Sequence, residues 1–170
     1  MKTLITGRPG TGKSTVAKAL VERGYNAIDL EEIPDAIRLE YAGTGQPAKW
    51  PEGFVDWSKY AWNIQAKVLE DLLEKQGEND VYVAVSASNQ SRFYDLFDKL
   101  FVLTVDNPET LKHRLETRNV HEYNQGPENI ARAVQKYTER TNELIAAGLL
   151  PIDNSRPLDI VLQDIVSQTT

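Results

Sequence analysis

Eight consecutive residues near the start of this 170-residue chain have the types and spacing for phosphate chemistry: Gly7-Arg8-Pro9-Gly10-Thr11-Gly12-Lys13-Ser14. They fit G-x-x-x-x-G-K-[ST], a loop that wraps phosphate groups. Its glycines let the backbone curl until several N–H groups converge on phosphate oxygens. A helix starting near Ser14 adds the positive end of its dipole. Lys13 is a point charge for the β- and γ-phosphates, the Ser14 hydroxyl is a ligand for Mg²⁺, and Thr15 reaches the α-phosphate. Gly7, Pro9, Gly10, Thr11, Gly12, Lys13, Ser14 and Thr15 are therefore expected to bind ATP, with Mg²⁺ as cofactor. A glycine-rich turn with no ligand is the alternative. It does not account for the loop lying directly after a strand and directly before a helix.

The elements that must position this loop follow from the hydrophobic pattern. Lys2–Thr6 reads as a strand and Ser14–Arg23 as a helix, with Val16, Ala17, Ala19 and Leu20 inward and Gly24 as its stop. Tyr25–Leu30 reads as a second strand. Glu31–Ala42 reads as a helix, and Ala48–Trp57 as an irregular excursion. A long helix follows from Ser58 to about Gln76. Val81–Ser86 and Leu100–Val105 read as strands, with a short helix over Ser91–Lys99 between them. Pro108 starts a helix to about Arg118. The polar loop Asn119–Pro127 leads to a helix over Glu128–Ala147. Leu149–Asp153 is a fifth strand and Leu158–Ser167 a last helix. Alternating strands and helices predict an α/β fold: a three-layer, five-stranded parallel sheet in the order 2-3-1-4-5, helices on both faces, as a single domain over residues 1–170.

Composition narrows the chemistry. The formal charge is −6, so broad nucleic-acid binding is not expected, and an anionic substrate must be held by local arginines and backbone amides. There is no cysteine and there are two histidines, which argues against thiolate catalysis, disulfides and a histidine-built zinc centre. No apolar run approaches a membrane span, and Lys2 leads straight into the loop motif, so the expectation is a cytoplasmic protein without membrane contact.

The run Leu111-Lys112-His113-Arg114-Leu115-Glu116-Thr117-Arg118 has two arginines four residues apart, on one face of a helix. With the phosphate loop, this resembles the small kinases of the nucleoside-monophosphate-kinase-like group, which includes adenylate, shikimate and gluconate kinases. The resemblance covers nearly the whole chain in element order. It implies that Arg114 packs on the adenine, that Arg118 clamps the phosphates, and that residues 119–127 form a short lid. It also implies that Asn154, Ser155 and Arg156 lie against the adenine edge, mostly through main chain. Salt bridges on a surface helix are the alternative for the two arginines. A base role for His121 has no support beyond its place in the lid.

On the acceptor side, about residues 31–76, Asp29-Leu30-Glu31 looks similar to the Asp-x-Asp of shikimate-type kinases. Asp29 stands where a strand end faces the ligand crevice, and it is the expected acid for Mg²⁺ or for the acceptor's proton. Asp35-Ala36-Ile37-Arg38-Leu39-Glu40 resembles the adenylate-kinase segment whose arginine grips the acceptor nucleotide. The resemblance makes Arg38 a contact for an anionic group, with an exposed helical arginine as the alternative. The turn Ser86-Ala87-Ser88-Asn89-Gln90 departs from adenylate kinases, because no acidic residue closes its strand. Ser86-Ala87 looks like gluconate-type kinases, and Asn89 offers a neutral hydrogen bond to an acceptor. All three tryptophans gather at Trp50, Trp57 and Trp62, where Trp57 either stacks on an acceptor or anchors a local cluster. Arg132, Lys136 and Arg140 form a basic stripe, read as solvated.

The resulting expectation is an ATP-dependent phosphotransferase acting on a nucleotide, nucleoside, sugar or hydroxy acid. Lys13, Asp29 and Arg118 would be catalytic, Ser14 and Asp29 would hold the metal, and Arg38, Trp57 and Asn89 would bind the acceptor. The alternative is a non-catalytic or slowly hydrolysing ATP-binding regulator. A polynucleotide end kinase is disfavoured by the acidic balance.

Overall fold

Val81-Tyr82-Val83-Ala84 is apolar at every position, and all four residues are buried in the computed structural model. A strand that is covered on both faces reads this way. The structure describes residues 1–52, 55–117 and 126–169. The main sheet holds β1 (Lys2–Gly7), β2 (Ala27–Asp29), β5 (Val81–Ala84), β6 (Lys99–Thr104) and β7 (Leu150–Asp153), in the order β2-β5-β1-β6-β7 with every pairing parallel. This is the expected 2-3-1-4-5 order. Only the numbering differs, because two further strands lie between β2 and β5 in the chain.

Alternation along the strands sorts the core into two layers. Leu4, Val81 and Val83 join Leu30, Leu69, Leu73, Phe93 and Phe97 on one face, where α2 (Ala66–Gln76) packs. Ile5, Tyr82, Phe101 and Leu103 join residues of α1 (Lys13–Glu22) and α5 (Leu158–Ser167) on the other. Val16, Ala17, Ala19 and Leu20 of α1 are buried, as the helical spacing predicts. A smaller cluster of Val105, Leu111, Leu115, Ile130 and Tyr137 joins α3 (Pro108–Glu116) to α4 (Pro127–Ala146). The Tyr137 hydroxyl fixes that pair to the sheet, donating to Val105 O at 3.1 Å and accepting from Val105 N at 2.7 Å.

The region between β2 and α2 differs from the sequence expectation. Residues 31–42 are not a helix. A single 3-10 turn, Leu30–Glu32, gives way before Pro34, and Asp35 has φ 61°. Proline disfavours helix in the residue before it, and the left-handed residue after it reverses the chain. β3 (Ile37–Tyr41) then pairs antiparallel with β4 (Tyr60–Ile64), where Ser58 was expected to open a helix. Helix begins only at Ala66. The period of two in Ile37-Arg38-Leu39-Glu40-Tyr41 and the aromatics of Tyr60-Ala61-Trp62-Asn63-Ile64 favour strand once the two can pair. Tyr41 and Tyr60 sit opposite each other with rings 5.7 Å apart. Residues 90–96 are 3-10 rather than α-helix.

This hairpin is fastened to the turn after β5. Ser88 N donates to Trp62 O at 2.7 Å, and Trp62 N donates to Ser88 Oγ at 3.0 Å. The Asn89 amide accepts from Ile64 N at 2.8 Å and donates to Ile64 O at 3.0 Å, completing a ladder along β4. The same turn is fastened to β1. Gln90 Oε1 accepts from Thr6 Oγ1 at 3.0 Å and from Ala87 N at 3.1 Å. Thr6 and Gln90 are both buried. Replacing Gln90 by Leu would leave the Thr6 hydroxyl and Ala87 N–H without their acceptor. It is expected to lower stability by about 1–3 kcal/mol, measured as a shift of the urea midpoint at unchanged slope.

Candidate functional site

The phosphate loop forms at the C-terminal end of β1. Thr11 closes it from inside: its N–H and its hydroxyl both donate to Arg8 O, at 3.1 and 2.8 Å. Gly10 has φ 86° and Gly12 φ 95°, conformations that side chains resist. At Gly12 space as well as backbone excludes a larger residue, because a Cβ there would lie 2.3 Å from Asn154 Nδ2. That amide donates to Thr11 O at 2.6 Å, while Asn154 N donates to Thr104 O at 2.8 Å. Arg114 Nη2 donates to Asn154 O at 2.8 Å. One buried asparagine therefore joins the loop, the end of β6 and helix α3.

α1 starts at Lys13 with no side-chain cap and no acidic residue in its first turn. A helix start of this kind leaves its dipole and first-turn donors for an anion. Ser14 and Thr15 are exposed, and Lys13 Nζ donates back to Gly7 O at 3.2 Å. Arg8 is held differently. Burial lowers its pKa, the like charge of Arg140 lowers it further, and Glu143 partly offsets both. Its Nε is buried with no hydrogen-bond partner among the described residues.

The strand ends present few acids. β5 ends at Ala84 without a carboxylate, as the sequence indicates. Asp29 ends the neighbouring β2, in register with Ala84, which is itself in register with Ile5. Asp29 thus stands level with β1 just before the loop. Its Oδ1 accepts from Glu31 N at 3.1 Å and caps the short turn.

The other expected residues fare unevenly. Arg114 reaches the phosphate loop. Arg118 and residues 119–125 of the expected lid, with His121, lie outside the described residues. Ser155 Oγ engages Asp106, and Arg156 pairs with Asp164 at 2.6 Å, so these side chains tie the β7 end to its own neighbours. Asn154, expected to contribute main chain, contributes its side chain. Asn89 uses both ends of its amide on β4, so it positions the hairpin. Trp57 packs edge-on against Trp50 at 6.3 Å, and Trp50 against Trp62 at 5.3 Å, forming the local cluster. Within the basic stripe, Arg132 Nη1 donates to Val55 O at 3.4 Å, while Lys136 and Arg140 pair with Glu139 and Glu143.

Arg38 corrects a sequence expectation. It lies on a strand, not a helix, and its guanidinium already has a partner: Nε and Nη2 donate to Glu40 Oε1 at 3.2 and 2.7 Å. Glu40 is buried and also accepts from Asn63 Nδ2 at 2.8 Å and from Gln65 Nε2 at 3.0 Å. Sequence reading missed this cluster because a helix assignment separates residues that strand pairing brings together. The alternation Arg38-x-Glu40 opposite Asn63 was its only signal. Burial pushes the Glu40 carboxyl up, but the hydrogen bonds from Asn63, Gln65 and Arg38 outweigh it and hold the group below the ordinary range.

Parallel order, crossover helices and a phosphate loop between β1 and α1 define a P-loop nucleotide-binding fold of the small-kinase type. The chain belongs to the AAA domain family, whose profile matches residues 4–136. It is similar to a UPF0200 protein of Saccharolobus islandicus and to another of Saccharolobus solfataricus, each 29% identical over 119 residues, 65% of this chain and 60% of theirs. The match thus spans about 60% of the length of these curated relatives. Among solved structures it is similar in fold to a shikimate kinase from Bacteroides thetaiotaomicron (TM-score 0.60, 16% identity, 99% of this chain and 98% of that one). It is similar likewise to a deoxyadenosine kinase from M. mycoides with bound dATP (0.55, 16%, 99% of each). A gluconokinase from Sinorhizobium meliloti compares at 0.52, with 18% identity over 98% of this chain and 89% of that one.

Two expectations follow. Asn154→Ala removes the amide on Thr11 O and is expected to cost about 1–3 kcal/mol. Gly12→Ala should also lower stability, and combining it with Asn154→Ala should recover only part of that loss, because the clash with Asn154 is removed but the φ of 95° still resists a side chain. Thermal denaturation of the three variants checks both. For pH, the lowered folded pKa of Glu40 means that its contribution is fully present above the ordinary glutamate value of about 4.3. It is lost as pH falls through the lowered folded value. Urea unfolding between pH 7 and 3 should therefore show a shallower acid loss in Glu40→Gln than in wild type.

Proposed function

We propose that this protein is an ATP-dependent phosphotransferase, a small-molecule kinase in which the γ-phosphate of ATP passes to an acceptor held between the phosphate loop and the β3–β4 hairpin. The observation that carries this reading is the continuous connection from loop to hairpin. Thr6, directly before the loop, is bonded to Gln90, and the adjoining Ser88 and Asn89 hold β4. An ATPase that only hydrolyses has no need of a second compartment fixed to its phosphate site. The resemblance in fold to kinases of a nucleoside, a sugar acid and a hydroxy acid supports the same reading.

In this reading the acceptor hydroxyl oxygen bonds to the γ-phosphorus, the bond to the β–γ bridging oxygen breaks, and ADP leaves. The acceptor's proton passes to Asp29 or to water beside it. Lys13 and the first turn of α1 hold the β- and γ-phosphates, Arg114 lies on the adenine side, and Arg118 completes the charge on the lid side. Ser14 and Asp29 offer the hard oxygen donors that suit Mg²⁺. That ion would supply charge neutralisation on the phosphates when bound. The chain is read as one kinase domain, working in the cytoplasm where ATP is made available. The absence of a carboxylate at the β5 end favours a second reading, a regulator that binds ATP and hydrolyses it slowly.

ADP release with and without acceptors decides between the two. Acceptor-stimulated release, reduced at least about 10²-fold by Lys13→Ala and by a comparable factor in Asp29→Asn, is the expected result. ATP binding with no acceptor stimulating release would establish the regulator instead.

A further inference from the structure

The Glu40 cluster has a polarity that bears on which acceptor can bind. An ionised carboxylate only accepts hydrogen bonds, so every group facing it must donate. This settles the orientation of two amides. Asn63 turns its –NH₂ to Glu40 Oε2, and Gln65 turns its –NH₂ to Glu40 Oε1 and Asn63 O, at 3.0 and 3.2 Å. Their carbonyl oxygens, Asn63 Oδ1 and Gln65 Oε1, have no hydrogen-bond partner among the described residues. Asn63 and Gln65 are half-buried, and the Arg38 side chain is 44% exposed beside them. β4 carries Asn63 between Trp62 and Ile64, the two residues fastened to Ser88 and Asn89, so the cluster adjoins the turn that is bonded to Thr6.

Charge within the cluster is already balanced. Arg38 carries +1 and Glu40 −1, joined at 2.7 Å. A carboxylate or phosphate arriving at Arg38 would meet a guanidinium committed to a buried anion. It would also face two carbonyl dipoles pointing their negative ends outward. A hydroxyl or amino group would find those carbonyls as acceptors.

We infer that Glu40 is a positioning residue that presents Asn63 and Gln65 as a donor-reading edge, so that the acceptor offers neutral hydroxyl or amino groups to this edge and no anionic group. This deepens the kinase reading and rests on it for the word acceptor. It selects an uncharged nucleoside-like or sugar-like molecule from the acceptor classes that the fold admits, and it reverses the role expected for Arg38.

Matched pairs of probes test it. Deoxyadenosine and glucose are the neutral members. Deoxyadenosine 5′-monophosphate and gluconate are their anionic counterparts. Each is titrated calorimetrically into the full chain loaded with ADP and Mg²⁺, and ADP release from ATP is followed separately. The expected result is binding of at least one neutral probe, about tenfold or more tighter than its anionic partner. Glu40→Gln should abolish that preference. It leaves Arg38 uncompensated and forces one amide to turn its carbonyl inward, so the neutral-to-anionic ratio should fall at least about tenfold. ADP binding reports that the variant is folded. Should Glu40→Gln fail to fold, Arg38→Gln gives the opposite test, because an uncompensated Glu40 should widen the preference. A merely structural role for Glu40 would weaken all probes alike and leave the ratio in place. Wild-type preference for an anionic probe, no binding of either neutral probe, or an unchanged ratio in the variants would overturn the inference. Failure of the kinase reading looks different: a neutral probe binds with the stated preference, yet no probe stimulates ADP release.

Discussion

The amide of Asn154 on the carbonyl of Thr11 is the contact on which the rest of the site depends. A phosphate loop must hold its N–H groups convergent without a ligand to organise them. Glycine torsions and the bonds of Thr11 to Arg8 O set that curvature locally, and a contact from outside the loop holds it in place. Asn154 comes from the end of β7, more than 140 positions away in the chain, and its amide occupies the space that a side chain on Gly12 would need. The glycine is thus required twice, once by backbone torsion and once by packing. Arg114, bonded to the carbonyl of the same asparagine, is carried into the site by this contact rather than by its own helix alone.

A second chain of contacts runs the other way, from Thr6 through Gln90 to the ladder that Ser88 and Asn89 make with β4. It uses uncharged side chains, buried at Thr6 and Gln90, half-buried at Asn89 and exposed at Ser88. At the buried end each donor has an acceptor, so desolvation costs little once the bond is made. The consequence is mechanical. The hairpin that carries Arg38, Glu40 and Asn63 is referenced through Gln90 to the same strand that leads into the phosphate loop. The missing carboxylate at the end of β5 fits this arrangement, since the turn there serves as a joint, and Asp29 on the next strand stands level with it.

The buried Glu40 shows why an arginine cannot be read in isolation. A guanidinium near a substrate crevice reads as an anion contact, and in an exposed helix that reading would be natural. Paired with a desolvated carboxylate, the same group is one half of a neutral unit, and the visible chemistry passes to the amides that the carboxylate orients. Burial favours the protonated acid, but three donor side chains favour the anion more.

The main sheet and the frame of the candidate site were legible in the chain. The phosphate loop follows from glycine torsions, one lysine and one serine at fixed spacing, and its strand–helix setting follows from local periodicity. The parallel order of the main sheet follows from alternating elements and short connections. The place of Asp29 at the end of β2 follows from the strand pattern. The hairpin was not legible, because Ile37–Tyr41 and Tyr60–Ile64 are short and acquire strand character only by pairing across an 18-residue excursion. Asn89 reads as a free amide until β4 lies beside it, and Asn154 reads as main chain until Gly12 stands opposite. Local torsion and periodicity are properties of neighbouring residues, so the sequence by itself determined the phosphate loop and the layered sheet. Which side chains share a carboxylate, and which amide holds the loop, depends on residues far apart in the chain. That only the tertiary structure decided.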